Sequence, residues 1–247
     1  MGITEDAQKK RRYAELAERA YITGRSLFTD FLAMDEVSLL LQCKDEVDYG
    51  GLALFGGVES CDRVMARFGE EGDFPIVCVK AAPLQQKFAD PLTHRDLLGA
   101  IMNLNIARET VGDIFLLDNV GYIFCKESVA PILTEELTKA RHTALRCTVC
   151  ETIPQGLGTR TEEKLLQVAS LRADVLVAAM FRLSREESLE LFRGKLVYID
   201  GKITENNSGT VNENSVISVR HHGKFRFCGV VSTSRKGKLN VKAELYV

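Results

Sequence analysis

The chain has 247 residues, with 32 Lys and Arg against 34 Asp and Glu and 45% hydrophobic residues, a globular balance that excludes a disordered or fibrous polypeptide. No apolar run of about 18 residues occurs, and the polar opening MGITEDAQKKRRYAELAERAY lacks the apolar stretch of a signal peptide, so no membrane is expected and the cytoplasm is the default location. Seven scattered cysteines suit a reducing compartment better than a disulfide framework.

Residues 1–48 read as a helical region. AQKKRRYAELAERAYITG places Tyr13, Leu16, Ala17 and Ala20 on one helical stripe, which Gly24 can close. TDFLAMDEVSLLLQCKD reads as a second helix. Residues 49–155 change texture. ESCDRVMARFG reads as a short helix ended by Gly69, and FPIVCVKAA as a buried strand. LTHRDLLGAIMNLNI is a helix with Thr93 as N-cap and Asp96 as its capping partner. DIFLLDNVGYIFCKE reads as two strands around Asp118-Asn119, VAPILTEELTKA as a helix and ALRCTVCETI as a strand. This order fits a ferredoxin-like or RRM-like sheet with helices on one face. The aromatic signature of an RNA-binding RRM is absent, so Phe115, Tyr122 and Phe124 read as core or hairpin pairs. Cys147 and Cys150 form a C-x-x-C, but residues three apart on a strand face opposite ways, and no second ligand pair completes a zinc site.

PQGLGTRTEEK, residues 154–164, is the clearest loop, and the domain boundary is expected within 155–170. From Ser170 onward, 13 Lys and Arg face 8 Asp and Glu, whereas the preceding part is acidic. A basic module on an acidic body points towards a polyanionic partner. LRADVLVAAMF is a helix. Ser184 and Glu187 form a capping box for a second helix, which Gly194 ends. KLVYIDGKIT is a hairpin around Asp200-Gly201, SVISVR a strand, and GKLNVKAELYV alternates with Leu239, Val241, Ala243, Leu245 and Val247 on one face.

On the second helix, Arg185, Ser188, Leu189 and Phe192 share a stripe, while Arg193 follows Glu190 at ion-pair spacing. Arg185 has no such neighbour. A cation at a helix start is disfavoured by roughly 0.3–1 kcal/mol. Its partner is either Asp174 on the preceding helix or a phosphate from outside. His221 and His222 read as solvated loop residues, and His94 and Asp96, two apart on a helix, do not form a dyad.

The string from Leu171-Arg172 and Asp174 through Ser184-Arg185, Lys195-Leu196-Val197 and Asp200-Gly201 to Ile217 and Val219 resembles the S4 RNA-binding domain. Ser188 stands where a small apolar residue is usual, Asn207 near a frequent proline, and Asn214-Ser215 in place of Gly-Asp. LTHRDLLGAIMNLNIARETVGDIFL, with Arg108-Glu109 and Val111-Gly112-Asp113, is similar to the signature of YlmH-type proteins. In those, an N-terminal region and an RRM-like middle domain precede a C-terminal S4 domain. The resemblance implies an α+β chain with an N-terminal helical region (1–48), a ferredoxin/RRM-like domain (49–155) and an S4 domain (170–247) of two helices on a small antiparallel sheet.

It also implies a non-catalytic RNA-binding factor, monomeric and without cofactor or metal. Its partners would be rRNA and tRNA on the large ribosomal subunit carrying peptidyl-tRNA, in quality control of stalled translation, with quality-control or cell-division proteins as further partners. An S4-type module binds through phosphates and shape, which nominates Arg172, Arg182, Ser184, Arg185, Lys195 and Lys202 as RNA contacts. The competing readings are an RNA-modifying enzyme of the pseudouridine synthase or methyltransferase class that uses the module as a handle, and a cell-division adaptor. The first 150 residues lack a G-x-G-x-x-G after a strand, which disfavours a Rossmann-like cofactor site.

Overall fold

The computed structural model describes residues 5–86, 89–158 and 161–246. Val247, the end of the last alternating stretch, and Thr159 and Arg160 of the expected loop lie outside the described residues. The architecture is α+β and divides into two compact units, Met1–Gly158 and Thr159–Val247.

The first unit opens with α1 (Glu5–Thr23), whose buried face is Tyr13, Ala17 and Ala20. Strand β1 (Leu27–Phe28), α2 (Met34–Gln42) and the single turn α3 (Lys44–Val47) follow. Beyond them, β2 (Leu52–Phe55) and β3 (Met65–Phe68) complete a three-stranded sheet in the order β1-β3-β2. The expected helix over ESCDRVMARFG is therefore a correction. Met65, Ala66 and Phe68 are all buried, so the segment hides both faces, as a strand between two partners does and a one-sided surface helix does not. Residues 52–68 thus finish the N-terminal lobe, whose core runs from Tyr13 to Phe68.

The rest of the unit is β4 (Ile76–Pro83), α4 (His94–Met102), β5 (Val111–Leu117), β6 (Val120–Lys126), α5 (Ala130–Glu136), β7 (Lys139–Ala140) and β8 (Thr143–Val149). The antiparallel sheet order β5-β6-β4-β8-β7 is that of a ferredoxin-like βαββαβ unit with a short extra edge strand. Both helices cover one face, over Val79, Ala81, Ile123, Cys125, Leu145 and Cys147. Thr93 caps α4 as expected, accepting from the Asp96 amide while the Asp96 carboxylate accepts from Thr93 N–H at 3.0 Å. Asp118 and Asn119, at φ 51° and 60°, make the left-handed turn between β5 and β6.

The second unit contains β9 (Thr161–Val168), α6 (Ala173–Phe181), α7 (Arg185–Arg193), β10 (Val197–Ile199), β11 (Lys202–Ile203), β12 (Val216–Val219), β13 (Gly223–Thr233) and β14 (Leu239–Tyr246). Its six strands run β11-β10-β12-β13-β14-β9. The helices pack Leu176, Val177, Met180 and Phe192 onto Val197, Ile217, Phe225, Phe227 and Val241. One of these strands differs from the sequence expectation. TEEK, the end of the expected loop, opens edge strand β9, and GKFRFCGVVST forms the long strand β13.

Candidate nucleic-acid interface

The α6–α7 pair sets the geometry. Arg172 is the N-cap of α6 with extended backbone (φ −67°, ψ 144°), so it is not bound by helical spacing and its side chain folds back over the first turn. Its Nε and Nη2 donate to Asp174 Oδ1 and Oδ2 at 3.0 and 2.7 Å, a two-pronged fork. Asp174 is buried, and its carboxylate also accepts from the Val175 amide at 3.0 Å and from Asn207 Nδ2 at 3.4 Å. The hydrogen bonds and the negative charge of Asp174 raise the Arg172 guanidinium above its ordinary value and hold it charged. Asn207 and Gly209 carbonyls accept from the amides of Asp174 and Ala173 at 3.0 and 2.9 Å, closing the helix start from the other side.

Arg185 is therefore not the partner of Asp174. It stands exposed at the first position of α7 and forms no ion pair among the described residues. Arg172 and Arg185 line one groove of about 340 Å3 together with Ser170, Asp174, Val175 and Ala178. Ser188, beneath it, is fully buried and donates through Oγ to the Asp174 carbonyl at 2.9 Å, which ties α7 to α6 and explains how a hydroxyl sits at that core position.

Ser184 caps α7. Its Oγ accepts from the Glu187 amide at 3.2 Å, and its own N–H donates to Glu187 Oε2 at 2.7 Å. The hydrogen bonds from Ser184 hold the Glu187 carboxyl below its ordinary value of 4.5. Arg193 pairs with Glu186 at 3.0 Å, two turns back, instead of with Glu190. At the far end of α7 the Lys195 amide donates to Phe192 and the Leu196 amide to Leu191, a Schellman arrangement. The left-handed residue of that motif is Lys195 (φ 56°), whereas Gly194 keeps φ −78°, so the expected glycine stop is displaced by one residue. Arg182 holds the same conformation (φ 55°) at the end of α6.

Lys195 lies 3.2 Å from Glu205, both exposed, a pair that solvent weakens. Lys202 is exposed on β11, just past the Asp200-Gly201 turn. His221 and His222 are exposed, and the His222 ring tilts against Phe181 at 5.6 Å. Of the nominated side chains, the structure brings Arg172 and Arg185 into one groove. Arg182 and Ser184 lie in the turn leading into α7, Lys195 lies at its other end and Lys202 follows on the hairpin. Sequence reasoning missed the Arg172–Asp174 fork, because helical spacing rules do not apply to an N-cap residue that lies outside the helix.

In the first unit, the Arg108-to-Asp113 string joins the two lobes. Asp113 Oδ2 accepts from the Asp62 and Arg63 amides at 2.5 and 3.1 Å. Arg63 donates to Phe31 O and Val111 O at 2.9 and 3.2 Å, and Arg108 donates to the Val111 and Gly112 carbonyls. A Cβ on Gly112 would lie 2.6 Å from the Phe31 ring, so this close approach requires glycine. Burial, with help from Arg63, pushes the Arg108 guanidinium down to about 10, which still leaves it charged at neutral pH. Cys147 faces the helices and donates to Leu137 O at 3.1 Å, while Cys150 packs on the opposite side of the sheet, so the C-x-x-C does not converge. Among the described residues no group of three His, Cys, Asp or Glu could hold a metal ion. No helix there is long and apolar enough to cross a membrane.

Residues 70–152, which form this ferredoxin-like sheet and its helices, match the model of the family described as "Putative RNA-binding domain in YlmH". Over 230 residues the chain is 28% identical to the ribosome-associated protein quality control protein P2 of Bacillus subtilis (strain 168), a match spanning 89% of this chain and 87% of that protein. The chain is YlmH-like. A solved structure, the cell division protein ylmH from Streptococcus pneumoniae, matches with a TM-score of 0.46 and 21% identity, over 61% of this chain and 93% of that one. The matched family model ends before the YlmH-like chain's α6–α7 groove, which is read from its own geometry.

Proposed function

We propose that this protein is an RNA-binding factor of ribosome-associated quality control, in which the C-terminal unit acts as an S4-type module on the large ribosomal subunit bearing peptidyl-tRNA. The observation that carries the reading is Arg185: an exposed cation at a helix start, without a carboxylate partner among the described residues, beside an Arg172 guanidinium already oriented by Asp174. A guanidinium fixed from behind by a carboxylate presents its remaining donors outward at little further entropic cost, and phosphate oxygens match its fork. Arg182, Lys195 and Lys202 extend the positive field around α7, and the Ser184 cap holds the start of the helix. The reading draws support from the family description of residues 70–152 and from the name of the Bacillus relative.

The test is sedimentation of the tagged protein through sucrose gradients of bacterial lysate at low and moderate salt, with Arg185→Ala alongside. The expected result is co-migration with free large subunits, weakened by salt and lost in the variant, with an unchanged melting temperature. If both proteins remain at the top of the gradient under every condition, the ribosomal reading fails.

A further inference from the structure

The ferredoxin-like sheet has a second face, turned away from α4 and α5, and its two halves differ. Over β5 and β6 it is covered. Val58, Cys61 and Leu157 pack on Phe115, Tyr122 and Phe124, and a Cβ on Gly57 would overlap the Phe124 ring. Phe124 is 1% exposed and Tyr122 7%, so bases cannot stack on them. Along β4 the cover thins, with Cys78 still buried in that cluster and Lys80 and Ala82 half-exposed, and over β8 and β7 the face is open. Along β8, Thr143, Leu145 and Cys147 point to the helices, which leaves Ala144, Arg146 and Thr148 on the open side. Lys139 stands opposite Ala144, Arg146 opposite Ala82, and Thr148 opposite Lys80.

These registers place three cations on a diagonal. Each step from Lys139 to Arg146 to Lys80 advances one strand sideways and two residues along, or about 8 Å between Cα positions. On the β7–β8 and β8–β4 pairings the directly opposed neighbours are small, Ala144, Ala82 and Thr148, while on the β6 side Lys80 lies opposite Tyr122, whose ring is buried. Among the described residues none of the three has a carboxylate partner, and the stretch from Leu137 to Cys150 contains no Asp or Glu within an otherwise acidic unit.

We propose that Lys80, Lys139 and Arg146 form a second RNA contact, which reads the sugar-phosphate backbone as a line of charges without stacking bases. An evenly spaced row of cations without carboxylate partners among the described residues fits a linear polyanion, and the one ring beside it, Tyr122, is too buried to stack a base. The inference rests on the RNA-binding reading above, to which the family description of residues 70–152 already lends support, and adds the sheet face and the side chains that would make the contact.

The test is binding of the full chain to purified bacterial large-subunit rRNA across a salt series. It compares wild type, Lys139→Glu/Arg146→Glu, the charge-keeping pair Lys139→Arg/Arg146→Lys, and a control reversal of equal charge elsewhere on the unit, Arg11→Glu/Lys44→Glu. The Lys139→Glu/Arg146→Glu chain should lose about ten- to thirtyfold in affinity, and its log–log salt slope should be shallower by about 1.4–1.8. The charge-keeping pair and the control reversal should both match wild type in affinity and slope, and the Lys139→Glu/Arg146→Glu chain should melt like wild type because both side chains are exposed and have no carboxylate partner among the described residues. Wild-type affinity and slope in the Lys139→Glu/Arg146→Glu chain, or an equal loss in the control reversal, would overturn this contact. An Arg185→Ala chain that still loses affinity in the same assay would leave the C-terminal site standing, whereas a wild type that binds no rRNA would remove both.

Discussion

Arg182 and Lys195 bracket α7 with backbone angles that side chains avoid. A non-glycine residue in the left-handed region costs about 1 kcal/mol relative to glycine, and here both positions carry exposed cations. Such strain persists where the side chain is needed for something other than folding. Arg182→Gly and Lys195→Gly should each raise stability by about 0.5–1 kcal/mol in urea denaturation and weaken RNA binding. A drop in stability with unchanged affinity would mean that the cations serve the fold. At this scale the sequence showed which side chains carry charge and which helix start Arg185 occupies. It did not show that Asp174 was already taken, because that depends on a backbone angle at Arg172 that periodicity does not encode.

The helices show their ends plainly. Thr93 with Asp96, and Ser184 with Glu187, are reciprocal capping boxes legible three residues apart, and both form. Because the Ser184 hydrogen bonds depress the folded-state pKa of Glu187, its capping contribution is fully present above about 4.5, the unfolded value, and is lost as pH falls through the folded value. The melting-temperature gap between wild type and Glu187→Ala should thus be widest near neutrality and close on acidification below pH 4. A gap constant down to pH 2 would show that the carboxylate charge is not what matters. Strands were harder to read. β3 is only Met65–Phe68 and buried on both faces, so its apolar residues mimic a helix fragment, and β9 carries so many exposed polar residues that it passes for loop. In β9 the pairing partner, not the local composition, makes the strand.

The formal charge of −2 conceals a basic C-terminal unit joined to an acidic one. If that unit meets about five phosphates, log affinity should fall against log salt with a slope of about −3.5 to −4.5, measurable by filter binding. A flat response would exclude phosphate-led recognition. A change in charge and a glycine-rich stretch marked a boundary region at 155–170 in the sequence; the two units divide after Gly158, ahead of β9, because β9 pairs along its whole length with β14. That pairing has a kinetic consequence. Thr161 lies opposite Tyr246 and Val168 opposite Leu239, so every rung closes a loop containing most of the unit. The entropy of closing it must be met before any rung contributes, whereas the β13–β14 hairpin and the α6–α7 turn are local and form cheaply. Loop entropy alone therefore predicts that the groove helices assemble over a sheet whose β14 edge is still unpaired. Until β9 arrives, that edge is a template open to a strand from another molecule, and the folding of this unit is a race between its own first strand and its neighbours.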